Sequence, residues 1–148
     1  MPPTRQKINF HGAALRHHVD AGLLHQNQRD ANAGHLFGFV AECGIKSLLV
    51  AGGLTTEPDG DITKVRGTDF RWHVDKLANQ IAQVQTFLEG RQMAGYLACI
   101  PDIGNFSDWK TDHRYYDEAS IPASLAKWCA AASQVMTMLD AAKADGAI

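Results

Sequence analysis

The sequence predicts an all-α protein, and three observations indicate this fold class. The stretch 30–51, DANAGHLFGFVAECGIKSLLVA, has apolar residues at helical spacings and also between them, so no wide polar face remains for water. Other segments repeat apolar residues every three or four positions, as amphipathic helices do. No segment alternates apolar and polar residues as a half-buried strand would. We therefore predict an up-and-down bundle of four main helices with one or two short extra helices.

The first helix is predicted over residues 9–28, after a flexible basic lead-in at residues 1–8, and a single bundle domain is predicted over 9–146. The apolar stripe of this helix consists of Phe10, Ala14, Leu15, Val19 and Leu23. Three histidines follow one another at intervals of seven residues: His11, His18 and His25. Seven residues span ~10.5 Å of helix, which is too far for consecutive histidines to share a metal ion, so no metal site is predicted.

The helix over 30–51 is expected to lie at the centre of the bundle. Gly34, Gly38 and Ala41 share one stripe of it and would let another helix backbone come close, for which the alanines of the last helix are suited. Glu42 and Lys46 interrupt an apolar run that is already short for a membrane span, so no span is expected.

Glu42 is the only acidic residue between Asp30 and Glu57, and it lies within the apolar pattern. A buried carboxylate must be paired or neutral. Three roles are open: a pair with Lys46 one turn on at the helix surface, a buried bridge to an arginine from elsewhere such as Arg114, or a catalytic or ligand-binding acid.

The remaining chain predicts two loops and three helices. Residues 52–72 form a long surface loop or flexible excursion, rich in Gly, Asp and Thr. A third helix from residue 73 to 90 and a short helix within 91–100 follow. The loop 101–121 should be tied to the bundle by its aromatic residues, Trp109, Tyr115 and Tyr116. The last helix begins near Pro122, ends at Gly146 and carries an apolar stripe of Leu125, Trp128, Ala132, Val135 and Leu139.

Composition indicates a soluble protein and excludes several functional classes. The 148 residues are 45% hydrophobic and 20% charged, with a net charge of -2, so no global attraction to nucleic acid exists and any contact with RNA would depend on a local groove. Three cysteines without CxxC spacing and the absence of an apolar leader predict a cytoplasmic location. No Walker-type loop, zinc spacing or nucleophile elbow occurs, and no cofactor is predicted.

The central stretch also carries a family signal. Phe39, Ala41, Glu42, Cys43 and Lys46 give an aromatic residue, then Ala-Glu-Cys, then a lysine. With an amphipathic first helix before it, and the segments HVDKL and DWKTDHRYY before a final helix, the chain resembles the HEPN superfamily (higher eukaryote and prokaryote nucleotide-binding domains) over residues 10–142. The resemblance implies an all-α bundle that usually dimerises and occurs in bacterial toxin–antitoxin modules, mobile elements and other accessory genes.

In nuclease members of that superfamily, an arginine, four to six residues and a histidine form a metal-independent RNA-cleaving site at the dimer seam. The histidine moves protons at the ribose and leaving oxygens, and the arginine stabilises charge on the phosphate. Arg66 and His73 satisfy this interval here, as do Arg5 and His11, but the first pair begins in the long loop and the second in the lead-in. Arg114 has no histidine after it.

Three functional hypotheses follow. The favoured one is a non-catalytic HEPN-like accessory protein that binds a nucleotide, RNA or a protein partner of the nucleotidyltransferase type. Its site would be a groove beside the ligand-binding candidates Glu42, Lys46, His73 and Arg114. The second is a divergent ribonuclease that uses His73 or His113 with Arg66 or Arg114. The third is a homodimeric structural module in which these charges only stabilise the bundle.

Overall fold

The structure is a computed structural model that describes residues 6–63, 71–79 and 90–148. Its α-helices are α1 (Phe10–Gln26), α2 (Asp30–Ala51), α3 (Val74–Asn79), α4 (Gly90–Leu97) and α5 (Leu125–Ala144). Three 3-10 helices lie between α4 and α5, at Ile103–Asp108, Thr111–Tyr115 and Glu118–Ser120. Within the described ranges no strand forms, and the only bridge pairs Thr56 with Ile62. The predicted all-α class is confirmed.

The central position of α2 is also confirmed. Both α1 and α5 pack against it, and every residue from Val40 to Leu49 is buried. This helix is long and apolar enough to cross a membrane, but 78% of its most apolar window is buried against the rest of the chain, as in the core helix of a soluble protein. The four-helix, up-and-down arrangement stays a prediction, because residues 80–89 of the predicted third helix lie outside the described ranges.

The small residues of α2 admit tryptophan rings rather than another backbone. A Cβ added at Gly34 would lie 2.8 Å from the Trp128 ring, and one at Gly38 would lie 2.2 Å from the Trp109 ring. The expectation that alanines of the last helix pack there was therefore wrong. Flat indole rings fill the space above the two glycines because each ring covers more apolar area than a methyl group.

The prediction of which α1 residues face the core was also wrong in part. Its first turn is capped as the sequence suggests, since the Asn9 side chain accepts a hydrogen bond from the Gly12 N–H at 2.9 Å. However, the buried residues of α1 are Ala14 and Ala21, whereas three members of the predicted stripe are exposed: Leu15, Val19 and Leu23. Small residues let α1 lie close to α2, and the larger side chains point away from the core.

The described part of the 52–72 loop is packed against the protein. Leu54 and Ile62 are buried, and Lys7 and Ile8 from the predicted lead-in donate backbone hydrogen bonds to the Asp59 carbonyl at 3.0 and 2.8 Å. Residues 1–5 and 64–70 lie outside the described ranges.

The 101–121 loop is anchored by only one of its three predicted aromatic residues. Trp109 is fully buried, but Tyr115 and Tyr116 are exposed, so the expectation for these two tyrosines was wrong. The final helix starts at Leu125, later than predicted, and the hydroxyl of Ser124 before it donates a hydrogen bond to Asp108 instead of capping the helix. It ends as expected, with Gly146 in the left-handed conformation (φ 74°).

Candidate functional site

Three ionisable side chains meet where α2 lies beside the start of α3: Glu42, Lys46 and His73, which we call the Glu42 cluster. His73 Nδ1 lies 2.7 Å from Glu42 Oε1, and Lys46 Nζ lies 3.4 Å from Glu42 Oε2. The exposed fractions of the side chains are 10% for Glu42, 7% for Lys46 and 48% for His73. The cluster therefore presents one accessible imidazole on top of a buried ion pair.

Local sequence and chain topology each supply part of this cluster. Glu42 and Lys46 are one helical turn apart on α2, the spacing at which side chains meet. His73 immediately precedes α3, which contacts α2. The predicted pair with Lys46 is present, but it is buried rather than at the helix surface, because other elements cover α2 on all sides.

Glu42 fixes the hydrogen-bonding role of His73. A carboxylate only accepts hydrogen bonds, so the proton shared with it belongs on His73 Nδ1. The second ring nitrogen, Nε2, is then left to act on an outside group, as a base when the ring is neutral and as a donor when it is protonated. A carboxylate that orients a histidine in this way is common both in binding sites and in acid–base sites.

Aromatic rings adjoin the cluster. The centroids of Phe39 and His73 are 6.4 Å apart, and Phe39 meets Trp109 edge-on at 5.4 Å. His35 stacks on Trp109 at 5.1 Å, and His17 lies 5.6 Å from Phe39. We call Phe39, His17, His35 and Trp109 the aromatic group. Its rings form a wall beside the half-exposed imidazole of His73.

Burial changes the titration of the groups around Glu42. It lowers the pKa of His35, and the nearby positive charge of Arg114 lowers it further. It also lowers the pKa of His17, to which Arg16 adds. Burial and then the negative charge of Glu42 raise the pKa of the Cys43 thiol to about 11. The two histidines of the aromatic group are thus held neutral, and Cys43 is held as a thiol.

A cleft of about 400 Å³ lies beside Cys43. Its lining includes Lys7, Phe10, Arg16 and Cys43. Phe10 connects it to the cluster, since Lys46 Nζ lies 5.7 Å from the Phe10 ring centroid. Two cationic side chains therefore line a cleft next to the buried ion pair.

The structure brings together three of the four predicted ligand-binding residues, namely Glu42, Lys46 and His73. The fourth, Arg114, is exposed, and its guanidinium lies 4.9 Å from the ring centroid of its neighbour Tyr115. The proposed bridge from Arg114 to Glu42 was therefore wrong. The physical reason is that Glu42 is already paired by Lys46, one turn along α2, and by His73, just before α3, whereas Arg114 is exposed in the 3-10 helix Thr111–Tyr115.

His113 is placed as a core residue. Its ring is buried, stacks on Trp128 at 6.0 Å, and accepts a long backbone hydrogen bond from Lys110 at Nδ1. Burial lowers its pKa, so it is held neutral. The remaining catalytic candidate, Arg66, lies outside the described residues, as does Arg5.

Sequence reasoning missed His35 and His17. His35 follows Arg29 after five residues, an interval within the nuclease pattern that could have drawn attention to it. In the structure Arg29 is exposed at the start of α2, whereas His35 is half-buried and its Nδ1 has no hydrogen-bond partner among the described residues. His17 had no comparable signal, because its contact with Phe39 depends on how α1 packs against α2.

Comparison of the chain with models of protein families, with curated proteins and with solved structures gave no match.

Proposed function

We propose that the protein is a HEPN-like accessory protein that binds a nucleotide or RNA by a phosphate group at His73. The observation that carries this proposal is the 2.7 Å contact between His73 and the buried carboxylate of Glu42. That contact orients an accessible imidazole, and ordering a side chain in advance lowers the entropic cost of binding. From the resemblance to HEPN proteins we further expect the product of a bacterial accessory gene, located in the cytoplasm. Its expected partners are a nucleotidyltransferase-type protein and a second copy of the chain.

The charges around the site favour an anion. Lys46 balances Glu42, so protonation of His73 adds a net positive charge to the cluster. Positive charge also reaches the aromatic group beside the cluster, because after burial Arg16 lowers the pKa of His17 and Arg114 contributes to lowering that of His35. Phosphate oxygens are the acceptors that such cationic donors prefer. The rings beside His73 would suit the flat base of a nucleotide.

The binding test uses titrations of the full chain with ATP, AMP and a short single-stranded RNA, each followed by calorimetry at low and raised salt. A hydrogen bond to a charged group contributes about 1.5–3 kcal/mol, so His73→Ala should weaken binding by about ten- to a hundredfold. Glu42→Gln should weaken it in the same direction, because the imidazole loses its orientation. Raised salt should also weaken binding.

His25 offers a matched control. Its Nδ1 lies 2.9 Å from Asp30 Oδ1, so it repeats the histidine–carboxylate pair. Both members of this second pair, however, are exposed at the surface. His25→Ala should leave the affinity unchanged. Equal affinity in wild type and His73→Ala, or no binding of any of the three probes, would refute the phosphate-binding proposal.

A divergent, metal-independent ribonuclease is the second candidate, and the same contact favours it. A histidine held by a carboxylate can take a proton from a ribose hydroxyl, a role that typically accelerates a reaction by about 10²–10⁴. Wild-type protein should then cleave total RNA in EDTA, and His73→Ala should be slower by at least about 10². His113→Ala should change stability rather than cleavage, since that ring is buried away from solvent. Absence of cleavage by the wild type would rule this candidate out.

A further inference from the structure

The outer face of α1 carries an exposed apolar stripe. Leu15, Val19 and Leu23 follow one another at intervals of four residues and are 39%, 60% and 52% exposed. The other large hydrophobic residues that are exposed in the described ranges are Tyr115 and Tyr116, which lie in a different loop. A row of exposed aliphatic side chains along one helix is typical of a protein–protein contact.

We propose that this stripe is the interface between two copies of the chain, which pair their α1 helices antiparallel about a two-fold axis near Val19. This inference rests on the homodimer included in the proposed function and gives it a location. Leu15 and Leu23 are equally far from Val19 along the helix. In such a pair, Leu15 of one copy lies opposite Leu23 of the other, and the two Val19 side chains meet at the axis.

The charges beside the stripe fit the same arrangement. Arg16 and Asp20 are both exposed, lie on the same side of the stripe, and form no ion pair within the described part of the chain. Antiparallel pairing brings Arg16 of each copy beside Asp20 of the other, so two opposite-charge contacts form at once. A surface that complements itself in both apolar spacing and charge fits a second copy better than an unrelated partner.

The face is also open enough for close approach. A Cβ added at Gly22, which lies on this side of α1, would meet no atom within 4 Å. The helix of 17 residues is ~25 Å long, so one helix pair gives a contact smaller than those of obligate dimers. We therefore expect reversible, concentration-dependent association.

Sedimentation velocity from low to high micromolar protein tests the proposal. Wild type should shift from monomer to dimer as the concentration rises. Val19→Asp places two carboxylates face to face at the axis and should raise the dissociation constant at least about tenfold. Ser133→Asp, at an exposed position on α5, is the control and should dimerise like wild type. Circular dichroism checks that each variant is folded.

A charge exchange tests the orientation of the two helices. Arg16→Asp should weaken the dimer, and the double variant Arg16→Asp, Asp20→Arg should restore it, because the contacts between copies re-form with opposite signs. In a background in which Cys99 and Cys129 are replaced by serine, Val19→Cys should also form a disulfide-linked dimer on oxidation, whereas the background protein should not.

The outcomes separate this inference from the proposed function. A wild-type dimer that persists in Val19→Asp would place the interface elsewhere and overturn the α1 location while leaving self-association intact. A wild type that is monomeric at every concentration would overturn self-association itself. Neither result bears on phosphate binding, which the His73 titrations measure separately.

Discussion

Gly38 leaves room for the ring of Trp109, because glycine has a hydrogen atom in place of a side chain. A Cβ at Gly38 would be 2.2 Å from two ring atoms of Trp109, which is itself fully buried. Gly38→Ala should therefore destabilise the protein by about 2 kcal/mol, since overpacking costs about 1–3 kcal/mol and exceeds the gain in helix propensity. Urea unfolding measures this change.

Gly95→Ala is the matched control for Gly38→Ala. Gly95 is also helical, in α4, but a Cβ there would meet no atom within 4 Å. That substitution should stabilise the protein by up to about 1 kcal/mol. A Gly38→Ala variant as stable as Gly95→Ala would contradict the close contact with Trp109.

Cys43 illustrates how burial controls reactivity at a single residue. The pKa of its thiol is raised to about 11, so only about a thousandth of it is ionised at pH 8, and the thiolate is the reactive form. Cys99 and Cys129 are only partly buried. Iodoacetamide at pH 8 should modify these two in the native protein and Cys43 only in denaturant, as measured by mass spectrometry. Alkylation of native Cys43 as fast as that of Cys129 would be inconsistent with its burial.

At the scale of elements, one carboxylate joins the 3-10 helix Ile103–Asp108 to α5. Asp108 accepts hydrogen bonds from Trp128 Nε1 at 2.9 Å and from the Ser124 hydroxyl. Trp128 in turn covers Gly34 of α2. Asp108 therefore holds both the start of α5 and the Trp128 ring that packs against Gly34.

Asp108→Ala should destabilise the protein by about 2 kcal/mol, because a hydrogen bond to a charged group contributes about 1.5–3 kcal/mol and Trp128 Nε1 would lose its acceptor. Asp102→Ala provides the comparison. Asp102 accepts a hydrogen bond from Gln134 of α5 at 2.7 Å, but this contact is exposed, so its loss should cost about 0.5 kcal/mol. Urea unfolding of both variants measures the difference. Equal losses would show that burial does not strengthen the Asp108 contact.

At the scale of the whole molecule, buried histidines should make stability depend on pH. Burial lowers the pKa of His17, His35 and His113 below 6.5. Below pH 6.5 the unfolded chain therefore binds protons that the folded chain does not, and the free energy of unfolding rises with pH until the unfolded histidines are neutral. The free energy of unfolding should be highest above about pH 7 and should decrease towards pH 5. The decrease is at most about 1.4 kcal/mol per pH unit for each histidine.

Urea unfolding at pH 7 and pH 5 checks this dependence. His113→Gln should show a smaller loss of stability between the two pH values than wild type, because one of the three histidines no longer takes up a proton on unfolding. Identical losses in the two proteins would contradict the lowered pKa of His113.

The sequence alone determined the features that depend on neighbours along the chain. The helical class and the limits of α2 follow from apolar spacing, and the pair between Glu42 and Lys46 follows from the helical repeat. The end of α5 at Gly146 likewise reflects a local preference for the left-handed conformation.

Tertiary structure decided which faces pack and which distant residues meet. α1 has two apolar stripes, and the one with small residues packs against α2 because it allows the closer approach, which leaves Leu15, Val19 and Leu23 outside. His73 reaches Glu42 from 31 positions away, and Trp109 reaches Gly38 from the loop before α5. Periodicity determines that a segment is helical, whereas contacts between distant segments depend on how side-chain volumes fit once the chain has folded.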